Sequence, residues 1–468
     1  MVSVALFACN PIKLNTVPSA SATIYGNGGS AVVKGDYIYF ANAYVDYNNL
    51  GINDNRYDEK SQQVIYGIYR VSVNEYGKVE LDENDKPKNV EIVTYNIGGY
   101  AYSGLYICGD YLYYSTPYTT AEEDGSVTHG RVRFERVKLD GTNREIVYSC
   151  ANYDEDSDYD IVYIDGTTYI TIKDGSNALI VVKCRGNNIY KYTINSSVTS
   201  FAVYNQRDIV YGETLSDMYN YAYYTVKDSN DKYNMYRKKL DNLGSEELIL
   251  NLQSDEIKLV SVQNERVYYT LDSKLFSVSY THDNFVTKRY ASISIEEGGS
   301  SSSTITSYQI LEDRNMDLGI VAVYYDGSNY SLKLFNNSIK DLGISFSSSI
   351  TLLGSQDGEL YYQVSGDDSL YATSLSFNAV GVDVEVTAQE PREICPSFSM
   401  SGDNAKSKFD FDKDRIFVYS QVDGETNNKY LTMYMINNQY RDEDDNVIGH
   451  YVGVLSGEDY DLVHEDDE

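Results

Sequence analysis

The sequence predicts an all-β protein: a single β-propeller, eight blades by the repeat count and seven as the alternative, built of mostly four-stranded antiparallel sheets. Three observations lead there. The 468 residues include 49 Tyr beside 13 Phe, no Trp and 6 Pro, and Tyr is a strand former with an apolar ring and a polar tip. Helical periodicity of any length is missing, while Gly, Asn, Asp and Ser mark the joins between apolar runs. Finally, one pair of strands recurs down the chain.

The first strand of the pair has the form turn, Asp or Asn, any residue, apolar, aromatic, aromatic. Its copies are GDYIYF at 35–40, GDYLYY at 109–114, GTTYIT at 166–171, RDIVYG at 207–212, ERVYYT at 265–270, GIVAVYY at 319–325, GELYYQ at 358–363 and DRIFVY at 414–419. Each is followed by a second strand ending in a polar turn: IYRVSVN at 68–74, FERVKLDG at 134–141, IYKYTIN at 189–195, MYRKKLDN at 235–242, LFSVSYT at 275–281, LKLFNN at 332–337, LYATSLS at 370–376 and LTMYMINN at 431–438. The two series interleave without a skip. Between positions 35 and 414 the mean step is 54 residues, close to the roughly 40–50 of a four-stranded blade plus longer loops.

Central strands of blades are covered on both sides and read as continuous apolar and aromatic runs. Strand alternation sends Ile38 and Phe40 one way and Tyr37 and Tyr39 the other; Leu112 and Tyr114 likewise oppose Tyr111 and Tyr113. A ring of blades has its only open edge where first meets last. The sequence therefore predicts that the segment before Gly35, or the strands between Arg415 and Val454, complete a shared blade.

Around this core, residues 1–9 (MVSVALFAC) read as the end of a clipped lipoprotein signal, with Leu6-Phe7-Ala8-Cys9 as the lipobox and Cys9 as the lipid anchor. Residues 10–29 have the composition of a flexible tether. The propeller is expected over 30–456, and 457–468 form an acidic, loose tail. No apolar run reaches the 18 residues or more of a spanning helix. Cys108, Cys150, Cys184 and Cys395 are widely separated, and no specific disulfide is predicted.

Charge narrows the partners. With 38 Lys+Arg against 70 Asp+Glu the chain carries a formal −32, which disfavours nucleic acid and anionic lipid surfaces. At 42% hydrophobic and 13% aromatic, it is not intrinsically disordered.

The pairing of GDYIYF or GDYLYY with IYRVSVN or FERVKLDGTNREIVY resembles the bacterial propeller repeats of unknown function related to the YWTD β-propeller of the low-density-lipoprotein receptors. The resemblance covers about residues 30–460 and includes the Leu139-Asp140-Gly141 ending of the second strand. Only the second copy has the full Asp-Gly-Thr ending, and the chain lacks the Trp of the receptor type, so receptor ligands do not carry over. It implies a surface or secreted protein, often lipid-anchored, and transfers no functional residues.

Catalytic chemistry is not legible in the sequence. His129, His282, His450 and His464 are its four histidines, three of them placed in polar loops and one in the tail, and no GxSxG, HExxH or phosphate-binding glycine loop occurs. Asp154, Asp156, Asp158 and Asp160 alternate, as do Asp442, Asp444 and Asn446, in the way Ca²⁺ loops begin, but without the Gly and Glu that complete such a loop. They are weak metal candidates, and no cofactor is otherwise expected. Tyr44, Tyr47 and Tyr57 in the first long insertion, and Tyr219, Tyr221, Tyr223 and Tyr224 in MYNYAYY, are candidate ligand-contact loops for a sugar or peptide. The functional expectation is thus a membrane-tethered extracellular propeller of a bacterial cell surface, without enzymatic activity, that binds or scaffolds a protein, peptide or glycan. An exported enzyme acting on carbohydrate or peptide at the mouth of a central channel is the alternative.

Overall fold

Short hairpins set the architecture, because nearly every strand pairs antiparallel with the next one in sequence. The computed structural model describes residues 13–456 apart from 42–56, 95–103, 151–157, 205–219, 283–289, 396–409, 422–428, 436–449 and shorter intervals in loops. Among these residues the fold is all-β and propeller-like, with no α-helix and eight antiparallel sheets of four or five strands in chain order. A two-stranded ribbon, Tyr57–Asp58 with Gln63–Val64, stands apart from them.

The chain divides into two compact units. Unit one holds sheet one (31–94), sheet two (106–149) and sheet eight (410–456); unit two holds sheets three to seven, over 158–395. Within each unit neighbouring sheets pack face to face, and the alternation of one strand feeds two cores. In sheet one, Ile38 and Phe40 join Tyr69, Val71 and Phe417 of sheet eight, while Tyr39 joins Leu112, Tyr114 and Val137 of sheet two. In sheet four, Tyr221 and Tyr223 pack with Val267 and Tyr269 of sheet five, and Ala222 and Tyr224 with Val162, Leu179 and Val181 of sheet three. Burial on both faces is what the unbroken aromatic runs predict.

A second repeat is written across three strands of a sheet. Arg70 lies 4.2 Å from the ring of Tyr37 and donates to Glu91 at 2.8 Å. Arg136 lies 4.1 Å from Tyr111 and donates to Glu145 at 2.6 Å; Arg237 lies 4.2 Å from Tyr221 and donates to Glu247 at 2.7 Å. The guanidiniums are buried, and each carboxylate reaches solvent. Stacking covers the flat cationic face and the carboxylate bonds part of its edge, which is how a strand can carry a charge through a core. The hairpins feeding these strands turn at Gly35 (φ +61°) and Gly109 (φ +65°), left-handed positions that suit glycine.

The structure corrects several sequence expectations. The stretch 207–212 lies outside the described residues, and its place in sheet four is taken by Tyr221–Lys227, paired with Tyr233–Lys239. In sheet three the partner of Thr167–Lys173 is Leu179–Arg185, and 189–195 forms the outermost strand; the all-aliphatic LIVV run lacks the aromatic signature. The segment read as a flexible tether is docked: Leu14 N donates to Asp140 O at 2.8 Å, and Ser21–Tyr25 pairs with Tyr106–Gly109. This N-terminal strand therefore extends sheet two and shares no blade with the last sheet. Sheet eight is built of C-terminal strands alone, and it meets sheet one through Phe417 and through contact of Asp410–Asp412 with Ala31–Lys34. Side-chain packing replaces the predicted strand exchange.

Candidate functional site

The candidate site arises where a recurrent link between sheets is broken. The first strand of sheets four to seven carries a bulge, which shifts the register at 198/200, 259/261, 305/307 and 352/354. From sheet four to five, the hydroxyl of Ser200 just past the bulge accepts from Leu259 N, just before the next bulge, at 2.8 Å. From sheet six to seven, Ser307 accepts from Leu352 N at 3.0 Å. Between sheets five and six the corresponding pair is Ser261 and Ile305. Here Ile305 N donates instead to Ser273 O at 2.8 Å, and the Ser261 hydroxyl is buried without a hydrogen-bond partner.

The residue that captures the amide is itself unusual. Asp272 and Ser273 form the two-residue turn between Arg266–Leu271 and Lys274–His282, with φ +48° and +58°. Two left-handed residues are the geometry of a type I′ hairpin, in which glycine is favoured at the second position. Between sheets five and six, Tyr268, Leu275, Ile320 and Phe335 are buried together among the described residues, with Val260, Ile305, Ile310 and Ile339 partly buried against them.

A cleft of about 550 Å³ opens beside this core. One wall belongs to sheet five: Glu256 and Lys258 from one strand, and Thr270, Asp272 and Ser273 from the adjoining strand and turn. Register pairs Ile257 with Leu271 and Lys258 with Thr270, which puts Glu256 and Asp272 at the same end of the sheet. Lys258 Nζ lies 4.0 Å from Glu256, and both are largely exposed. The opposite wall is the start of sheet six, Ile305 to Tyr308. Tyr308 is 39% exposed, while burial raises the pKa of its hydroxyl. The cleft thus combines two carboxylates, an ammonium, several hydroxyls and an accessible aromatic ring, a set able to bind a polar small molecule and to move a proton.

The residues singled out by sequence lie elsewhere. Tyr221 is not in a loop; it stands in Tyr221–Lys227, 6% exposed, beneath Arg237, and Tyr223 and Tyr224 are buried beside it. Tyr57 belongs to the small two-stranded ribbon. Cys9, Tyr44, Tyr47, Tyr219, Asp154, Asp156, Asp442 and Asp444 lie outside the described residues, and Asp158 opens the first strand of sheet three. His129, His282 and His450 sit in strands rather than polar loops. Among the described residues no group of three or more His, Cys, Asp or Glu is placed to hold a metal ion, and Cys108, Cys150 and Cys184 are buried. No helix among them is long and apolar enough to cross a membrane. What the sequence reading missed is the cleft; in this sheet Arg266 stands where earlier copies have Tyr37 and Tyr111, and Ser277 where they have Arg70 and Arg136, but these positions are at the other end of the strands from the cleft.

No protein-family model matches the chain, and no curated protein matches it. Among solved structures it is similar to a post-proline cleaving enzyme from Rickettsia typhi, at 12% identity over 87% of this chain and 58% of that chain, with a TM-score of 0.40. It is also similar to a prolyl endopeptidase, at 9% identity over 89% and 55% of the respective chains and a TM-score of 0.39. A third likeness is to Kluyveromyces lactis Hsv2, at 10% identity over 71% and 94%, TM-score 0.38. The chain spans just over half the length of the two peptidases. The expected binding or scaffolding role is corrected here to the enzyme alternative, the first two likenesses being to peptidases, and that alternative is taken up below as a proposal.

Proposed function

We propose that the protein is a hydrolytic enzyme acting on carbohydrate or peptide, and that its site is the cleft between sheets five and six. The observation that carries this reading is the placement of Glu256 and Asp272 at one end of a polar cleft of about 550 Å³. Two neighbouring carboxylates can divide the work of acid and base, one donating a proton to the leaving group while the other activates water or attacks directly. Lys258, 4.0 Å from Glu256, adds a cationic donor beside the carboxylates. The test is turnover of chromogenic glycosides and of proline-containing peptides by the purified protein. Glu256→Gln and Asp272→Asn should each lower kcat/KM by about a hundredfold or more. Turnover indifferent to both substitutions, or none on either panel, would overturn the proposal.

Two further readings complete it. The eight sheets are taken as the blades of one closed propeller, supported by face-to-face packing that repeats sheet after sheet within each unit; small-angle scattering from two separated bodies would refute it. Export and lipidation at Cys9, as a cell-surface protein of the propeller-repeat type named above, rest on the Leu6–Cys9 segment. Metabolic labelling with a fatty-acid probe should disappear in Cys9→Ser.

A further inference from the structure

We infer that the ligand of the cleft is a neutral oligosaccharide; this rests on the reading of the cleft as the functional site and narrows its substrate. The lining decides between sugar and peptide. A peptide is gripped by pockets for apolar side chains, or by a strand edge that gives and takes main-chain hydrogen bonds. Ile305 and Tyr308 are the two side chains of the lining without a charge, amide or aliphatic hydroxyl, and the Ile305 amide at the adjacent strand start is already bonded to Ser273. Thr270 and Thr306 offer hydroxyls that both donate and accept, Glu256 and Asp272 accept, and Lys258 donates. That mixture matches sugar hydroxyls, each of which is donor and acceptor at once.

Tyr308 supplies the other half of sugar recognition. Tyr308, 39% exposed as a residue and lining the same cleft as the carboxylates, can lay its ring against the C–H face of a pyranose, an amphipathic contact that suits a ring with one apolar surface and a polar tip. Charge sets the sign of the sugar. Two carboxylates face one ammonium in the cleft, and the whole chain carries −32, so uronic or sulfated glycans are repelled. The volume of about 550 Å³ falls inside the range of about 300–1,000 Å³ usual for small-molecule sites.

The experiment is saturation-transfer NMR and calorimetry on the full chain with neutral gluco-, xylo- and manno-hexasaccharides, an oligogalacturonate serving as the anionic control. At least one neutral probe should bind and the control should not. Tyr308→Ala should weaken that binding by about tenfold, with Tyr308→Phe retaining it. Thr306→Arg, a change at an exposed position that fills the cleft, should abolish binding while leaving circular dichroism unchanged, which guards against a Tyr308 variant that fails to fold. Glu256→Gln should keep sugar binding and lose turnover. Absence of binding by every neutral probe, binding indifferent to Tyr308→Ala and Thr306→Arg, or preference for oligogalacturonate would overturn the inference. The two proposals fail separately. Tyr308-dependent binding without hydrolysis sinks the hydrolase and keeps the sugar site, whereas Glu256-dependent peptide turnover without sugar binding does the reverse.

Discussion

Arg237 shows at the residue scale how this sequence affords buried charge. Its guanidinium is 4% exposed, stacked on Tyr221 and bonded through Nε and a terminal nitrogen to one oxygen of Glu247. A lysine there could supply the charge but not the flat face or the fork. Arg237→Lys is expected to cost about 1–3 kcal/mol, read from the urea midpoint at unchanged slope. Acid sensitivity belongs to the same scale. Asp228 and Asp326 start hairpin turns whose backbone amides, Lys232 and Asn230 in one and Asn329 and Ser328 in the other, donate to the carboxylate and hold its pKa below the usual value. Because the folded pKa is depressed, their stabilisation is complete above the unfolded value near ~4 and is lost as pH falls through the folded one. Thermal melts between about pH 6 and pH 2 should therefore show a shallower acid limb in the Asp228→Asn, Asp326→Asn double variant than in the wild type.

Among elements, the bulged first strands make the sharpest comparison, because three equivalent serines meet different fates. Ser307→Ala strands the Leu352 amide and should cost about 1–3 kcal/mol, whereas Ser261→Ala removes a buried hydroxyl that already lacks a partner and should be neutral or stabilising. Equal losses in the two variants, measured by chemical denaturation, would remove the account of why the cleft opens. Strand identity at this scale was legible in the sequence wherever aromatic residues alternate, as in GDYIYF and ERVYYT, since two-sided burial leaves a compositional trace. It was not legible in LIVV at 179–182, where aliphatic residues do the same packing without the aromatic mark. The cleft was hidden for another reason: it depends on which amide a hydroxyl meets in the next sheet, and that pairing has no sequence period.

For the whole molecule, the first and last sheets meet inside unit one. Phe417 of the last sheet is 2% exposed in a core otherwise furnished by sheet one. Phe417→Ala should destabilise by about 3–5 kcal/mol, and hydrogen exchange should show lost protection in Tyr37–Ala41 of sheet one as well as around residue 417. Loss confined to the C-terminal strands would mean that the last sheet is an appendage. The histidines were misread at this scale because loop composition does not reveal where long strands end: Tyr111–Ala121 and Val127–Lys138, which holds His129, extend a ribbon well past the span that the repeat marks.

The bond from Leu14 to Asp140 has a consequence for height above a surface. Counted from there, the leash back to Cys9 is five residues, about 17 Å at full stretch. With a lipid on Cys9, the folded body would ride on the headgroups instead of swinging free above them. A body charged at −32, kept within about two Debye lengths (each about 8 Å) of an anionic leaflet, would be pushed away from it at low salt and settle closer as salt is added.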